Sequence, residues 1–398
     1  MLARAPSTPY AAAVRPWAVL VFLAVVSSLD VAIHGYLYLR LVRDPGWPRW
    51  VRRAGAVLFV ALALLIPIGF VGNRTLPVEA SIALSRVAFG WMGVMFFLLV
   101  GCAAIDLLRL LAHVPKKALD VPADPDRRQA LARLTAAGVG VTTGVVTGVS
   151  LRNAMGEVQV AEQAVRLARL PPALDGLEIA QLSDVHIGAS LGEGFLRGIV
   201  EKTNRLRPDL IVITGDLVDG SVAQLERHVA PLARLASRYG VYFVTGNHEF
   251  YSGADPWCAH LEKLGISVLR NRFVHVGDAA AKIQLAGIDD YTKTGGTSVA
   301  QRLAERLDPE LETVLLAHQP RSIGDARALG AGLQLAGHTH GGQIYPFTEL
   351  VRLTTPYVAG LYRHDARTQI YVSRGTGFWG PPMRLAAPAE ITRVVLTT

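Results

Sequence analysis

Five short blocks of this sequence hold side chains that bind metals: Asp184-Val185-His186, Gly215-Asp216-Leu217-Val218-Asp219, Gly246-Asn247-His248-Glu249, the lone His318, and Gly337-His338-Thr339-His340. Singly each is weak, because a D-x-H arises by chance and a G-x-H-x-H can be a tight turn. Together they supply carboxylate, amide and imidazole donors without a thiolate, a set that suits divalent ions such as Mn, Fe or Zn. The donors suffice for two ions. Asp216, alone between the other groups, is the natural carboxylate to bridge a pair about 3.5–4 Å apart. Cys102 and Cys258 are far apart and lack ligand spacing.

Each block directly follows an apolar run of strand length, at residues 177–182, 210–214, 241–245, 314–317 and 333–336. Amphipathic stretches at 194–205 and 222–239 read as helices, and 273–276, 283–286 and 370–373 as further strands. This alternation predicts an α/β fold, in which side chains at the carboxyl ends of neighbouring strands converge on one crevice. Gly215, Gly246 and Gly337 are expected at turns where the backbone must approach closely. His228, His260, His275 and His364 lack this strand-end placement and are expected in packing or surface roles.

The ordered blocks resemble the calcineurin-like metallophosphoesterase superfamily, whose pattern is D-x-H, G-D-x-x-D, G-N-H-E/D, H, then G-H-x-H. The surrounding text, Leu-Ser-Asp-Val-His, Thr-Gly-Asp-Leu-Val-Asp, Ala-His-Gln-Pro and Gly-His-Thr-His-Gly-Gly-Gln, is similar to the bacterial membrane-associated branch of YaeI/YkuE-like phosphodiesterases. The resemblance runs from about residue 170 through the Pro381-Pro382-Met383-Arg384 tail and leaves the first 150 residues uncovered. It implies a sandwich of two mixed β-sheets flanked by helices. It also implies one metal on Asp184, His186, Asp216 and His340 and a second on Asp216, Asn247, His318 and His338, with His248 beside them. Such a pair lowers the pKa of a shared water and holds phosphoryl oxygens for in-line attack. An imidazole titrating near 6.5 can return a proton to the leaving alkoxide, which makes His248 the expected general acid. Asp219 and Glu249 are expected to orient histidines from behind. The tail around Gly377, Trp379 and Arg384 is expected to shape the substrate pocket.

The remainder of the chain has another character. Its 398 residues and 42.8 kDa allow two structural units, and 51% apolar against 18% charged residues, with mean hydropathy +0.31, is too apolar for an ordinary cytosolic enzyme. Apolar runs at 17–39, 54–72 and 87–104, with a shorter Gly-, Thr- and Val-rich run at 134–149, predict an all-α transmembrane region of three to four helices over residues 1–150, followed by a catalytic domain over 151–398. The net charge of +8 concentrates in two clusters between these runs, Arg40 to Arg53 and Lys116 to Arg133, so topology accounts for it and nucleic acid is not an expected partner. The positive-inside rule places both clusters in the cytoplasm and the catalytic domain outside, in a multi-pass protein of a bacterial inner membrane. Asp126-Arg127-Arg128 before the fourth run also resembles an internal twin-arginine export signal, and an in-plane anchor with a cytoplasmic domain is the other topology. Asp30 and His34, four apart, are expected to form a polar contact within the helices.

These features predict a membrane-anchored hydrolase of phosphomono- or phosphodiesters acting on a cell-envelope or lipid-linked substrate. A UDP-sugar-lipid pyrophosphatase of the lipid A pathway type and a non-catalytic phosphate-binding sensor are the alternatives.

Overall fold

The computed structural model describes residues 16–76, 78–118, 124–294 and 298–398. Residues 1–15 of the predicted membrane region lie outside the described residues, as do the side chains of Lys116 and Lys117. Contacts divide the chain into two compact units, one from the segment ending at Ile68 with Val94–Gly144, the other from Gly69–Gly93 with Val145–Thr398.

Four long helices account for the apolar runs: α1 (Pro16–Tyr38), α2 (Arg49–Thr75), α3 (Val78–Ala118) and α4 (Pro125–Met155). Each supplies a stretch long and apolar enough to cross a membrane, the first running on from α1 through the π-helical turn Leu39–Arg43. The fourth extends well beyond the expected 134–149, because helix-forming flanks around the Gly- and Thr-rich stretch continue it, with Asp126 in its first turn and Arg152 in its last. Asp30 and His34 make their polar contact inside α1, with His34 Nδ1 2.9 Å from the Asp30 carbonyl. In the first unit, Asp106 accepts hydrogen bonds from Tyr36 Oη (2.7 Å) and Arg40 Nε (2.8 Å), so this carboxylate is satisfied by α1 and the turn that follows it.

The second unit carries twelve described strands: β1 (Gln159–Arg166), β2 (Glu178–Leu182), β3 (Leu210–Thr214), β4 (Val241–Val244), β5 (Ser267–Val268), β6 (Arg272–Gly277), β7 (Lys282–Gly287), β8 (Thr313–Leu316), β9 (Leu333–Ala336), β10 (Gly360–Arg363), β11 (Gln369–Val372) and β12 (Glu390–Thr397). They form two six-stranded mixed sheets, ordered β1-β12-β2-β3-β4-β5 and β10-β11-β9-β8-β7-β6. β2, β3 and β4 run parallel in the first, and β7, β8 and β9 in the second.

Period-two alternation sorts each strand between two apolar layers. Ile179, Leu210, Val212 and Val244 from one sheet meet Ile283, Leu285, Val314, Leu316, Leu333 and Leu335 from the other, forming the core between the sheets. Their sequence neighbours Ala180, Leu182, Ile211, Ile213 and Phe243 face outward and pack on Leu196, Ile199, Leu225, Trp257 and Leu261. These come from α5 (Glu193–Arg205), α6 (Val222–Val229) and the helix Ala254–Lys263. Ala286 and Leu315 do the same on the second sheet, against Ala300, Leu303, Ala326 and Leu329. A fully buried side chain of this size contributes about 1.5–3 kcal/mol, so central strands covered on both faces are the firmest base the chain offers.

Candidate metal centre

The five blocks leave the parallel strands at their carboxyl ends, and the structure brings seven of the eight expected side chains into one cluster, with Asn247 next in sequence to His248. Asp184 and His186 follow β2, Asp216 follows β3, Asn247 and His248 follow β4, His318 follows β8, and His338 and His340 follow β9. Five of them adopt left-handed backbone despite carrying a Cβ: Asp184 (φ 53°), His186 (52°), Asp216 (51°), His338 (72°) and His340 (50°). Each such residue costs on the order of 1–3 kcal/mol, and such strain gathers where geometry serves function. Two glycines make the approach possible. A Cβ on Gly215, itself at φ 86°, would lie 2.6 Å from the Gly246 nitrogen and 2.8 Å from His318 Nδ1, and a Cβ on Gly246 would lie 2.9 Å from Asp216 Cγ.

Asp216 Oδ2 is the hub. It lies 3.1 Å from His318 Nε2 and 3.9 Å from both His186 Nε2 and His248 Nε2. On one side, His186 Nε2 and His340 Nε2 face each other at 3.1 Å, with Asp184 Oδ1 3.5 Å from the latter. On the other, His338 Nδ1 and His318 Nε2 face each other at 3.2 Å. Three sets therefore have ligand atoms within 4.8 Å of one another: Asp184, His186 and His340; Asp216, His318 and His338; and His186, Asp216 and His248. Asn247 is buried with its Oδ1 lacking a hydrogen-bond partner.

Hydrogen bonds behind these groups set which nitrogen faces inward. His318 Nδ1 donates to the Thr214 carbonyl (2.8 Å), freeing Nε2. Asp219 Oδ1 receives both His186 Nδ1 (3.1 Å) and His248 Nδ1 (2.5 Å), so one carboxylate orients two rings. Glu249 departs from expectation. It contacts no histidine through a hydrogen bond but accepts from the amides of Gly246 (2.7 Å), Asp216 (3.0 Å), Leu217 (2.8 Å) and Val218 (3.3 Å), lacing two metal loops together. Burial and neighbouring Asp216 push its carboxyl up to about 7, against the pull of those amides.

Charge is shared unevenly. Burial alone would raise Asp216 and Asp219, but His318 holds the first, and His186 with His248 the second, well below the usual carboxylate range. In turn, burial is outweighed at His186, which Asp219, Asp216 and Asp184 lift to about 9, and at His318, which Asp216 lifts well above 6.5. Burial and His318 depress His338 to about 4, and burial with His186 and Arg384 depresses His340 well below its ordinary value. The carboxylates thus favour positive charge on His186 and His318, while burial and those two rings disfavour it on His340 and His338, the ring nitrogens that face them at 3.1 and 3.2 Å. The orphaned Asn247 oxygen, the paired nitrogens and the thiolate-free donor set fit divalent cations.

Four further residues surround the cluster, of which Ser183 and Tyr251 carry little signal in the sequence. Ser183 Oγ donates to Asp184 Oδ2 (2.6 Å). Arg384, expected at the pocket, is instead wholly buried beneath it, donating to the carbonyls of Gly377, Arg374 and Ala387 at 2.5, 2.8 and 2.7 Å, and burial pulls its guanidinium down to about 10. Trp379 and Tyr251 do reach the site, their rings edge-on to His248 at centroid distances of 5.8 and 5.4 Å. The four other histidines of this unit join none of the metal-competent sets among the described residues.

The sequence that carries this arrangement is similar to known proteins. Residues 177–342 match the calcineurin-like phosphoesterase model. A zebrafish (Danio rerio) relative described as a transmembrane protein with metallophosphoesterase domain is 33% identical over 398 residues, covering 94% of this chain and 89% of the relative. A bovine (Bos taurus) relative of the same description is 41% identical over 287 residues, covering 68% of this chain and 64% of its own length. The metallophosphoesterase YkuE of Bacillus subtilis is 33% identical over 244 residues, covering 59% and 84%. The chain belongs to the calcineurin-like metallophosphoesterase family and is a metal-dependent phosphoesterase with a transmembrane region. Its relatives are vertebrate as well as bacterial.

Proposed function

We propose that this chain hydrolyses phosphomono- or phosphodiesters at a pair of divalent cations, on a substrate carried by the membrane or cell envelope. The observation that carries the reading is Asp216 Oδ2, reached by a histidine from each side of the cluster and so suited to serve both ions. Asp184, His186, Asp216 and His340 would hold one ion, and Asp216, Asn247, His318 and His338 the other. When bound, Mn, Fe or Zn ions would activate water and neutralise charge on the phosphoryl oxygens. His248 stands beside them with Nδ1 fixed by Asp219, which leaves its Nε2 to protonate the leaving oxygen.

The YkuE likeness supports a place in the bacterial membrane-associated branch, and the basic clusters support an inner-membrane protein with residues 1–150 in the bilayer and 151–398 outside the cytoplasm. Turnover of bis-p-nitrophenyl phosphate by the purified chain, restored by manganese after chelation, is the expected result; metal-independent or absent turnover would sink the proposal. A reporter fused after residue 398 tests the side, since a cytoplasmic signal favours cleavage of a UDP-linked lipid.

A further inference from the structure

The helix Phe347–Thr354 follows closely on the His340 loop, and none of its residues is buried. Leu350 and Leu353, three apart and so on one helical face, are 56% and 82% exposed. Tyr345 and Trp379 add aromatic surface nearly half exposed, 49% and 47%. Scattered leucines at a surface need no explanation, but an apolar row at helical spacing beside aromatic residues at the rim of a site does.

Two connections tie this rim to the rest of the unit. Thr348 Oγ1 donates to the Gly341 carbonyl at 3.3 Å, and Gln343 Nε2 donates to the carbonyls of Trp379 (2.9 Å) and Pro381 (3.1 Å). The loop carrying Trp379 in turn rests on the hairpin segment of α2 and α3 that belongs to this same unit. A Cβ on Gly93 would lie 3.2 Å from Pro381 Cβ, and one on Gly380 would lie 3.4 Å from Met92 Cε. That hairpin also leaves Phe70, Val71 and Val87 exposed, within helices of membrane-crossing length and composition.

We propose that the face formed by Leu350, Leu353, Tyr345 and Trp379 seats on the lipid bilayer surface, presenting the metal centre to phosphate groups at the headgroup level. The argument for lipid is continuity: the rim packs on helices of membrane-crossing length and composition, so bilayer is at hand wherever those helices anchor the chain. Tyr and Trp suit the boundary, with an apolar body and a polar tip, and the Glu349–Arg352 pair (3.0 Å) supplies the polar flank of the helix. The inference rests on membrane anchoring and narrows the proposed substrate to one held at the bilayer surface.

The test uses the full chain in vesicles of phosphatidylcholine and phosphatidylglycerol, with Leu353→Cys carrying an environment-sensitive fluorophore; both native cysteines are buried. Blue-shifted emission quenched by doxyl-labelled lipid is the expected result. Emission quenched only by aqueous iodide overturns the proposal. So does disulfide cross-linking between copies of the unlabelled Leu353→Cys chain without lipid quenching of the labelled one, which would make a second copy the occupant. Leu350→Glu with Leu353→Glu is the functional arm. It should lose turnover of an acyl-chain p-nitrophenyl phosphate ester embedded in the vesicles while keeping that of soluble bis-p-nitrophenyl phosphate; parallel loss of both, or loss of neither, overturns it. If the unmodified chain turns over neither ester, the hydrolase reading fails and the fluorescence arm still decides the docking.

Discussion

The sheet built on β2, β3 and β4 sends Asp184, His186, Asp216, Asn247 and His248 into the cluster, whereas the sheet built on β8 and β9 sends only the imidazoles of His318, His338 and His340. Among these eight side chains, one half of the sandwich therefore brings both carboxylates, and the other brings only rings. His338 and His340, whose proton affinities are depressed, both come from the second half, and the lifted His186 sits among the carboxylates of the first. A metal centre divided in this way exists only when the two sheets are pressed together over their shared core. Anchorage is thus supplied by apolar packing and reactivity by its edge.

The division can be broken most severely at the hub. Asp216→Ala removes the one carboxylate that both sides share and should lower kcat/KM at least about a thousandfold, with metal content by atomic spectroscopy falling as well. His248→Ala should cost about a hundred- to ten-thousandfold in kcat while metal content holds, which separates proton transfer from ion binding. Asp219→Asn reaches rings of the first half only, and a loss of about 10–100-fold in metal affinity or activity is expected, measured by metal titration beside kinetics. Glu249→Gln touches backbone rather than rings; it should lower unfolding stability by about 1–3 kcal/mol in denaturant titration and spare metal affinity more than Asp219→Asn does. On stability alone, simple chelation ranks beside Glu249→Gln: metal present at about a hundred times its Kd stabilises the folded chain by about 2.7 kcal/mol, so EDTA should lower Tm by about 5–10 °C without unfolding a core that the ions do not touch.

Much of the catalytic unit is legible in the sequence because each metal-binding block abuts a strand buried on both faces. Residues 210–214 and 333–336 are strands within the expected bounds, and the remaining expected strands shift by a residue or so at their ends. The helix expected over 222–239 stops at Val229, where Pro231 turns the chain into a short 3-10 segment, Ala230–Arg234. β1 and β12 lie outside the expected set. β1 is an edge strand rich in Gln, Glu and Arg with mixed burial, and its register with β12, Gln159 opposite Glu390, joins residues far apart in sequence. The roles of Glu249 and Arg384 escape for a related reason. What they hold is backbone on other loops, a relation that no local pattern encodes, whereas Asp219 sits in a motif together with its chemistry.

β12 lies between β1 and β2, parallel to one and antiparallel to the other. A nascent chain therefore has β2 as a bare edge until residues 390–397 have left the ribosome, long after α1 to α4 have emerged. Closure of this sheet therefore waits on residues late in the sequence, after all four long helices have been made. Arg384 lies just ahead of β12 in sequence, so the carbonyls of His340, Ala387 and Arg374 that it gathers are tied down by the same late segment that completes the sheet.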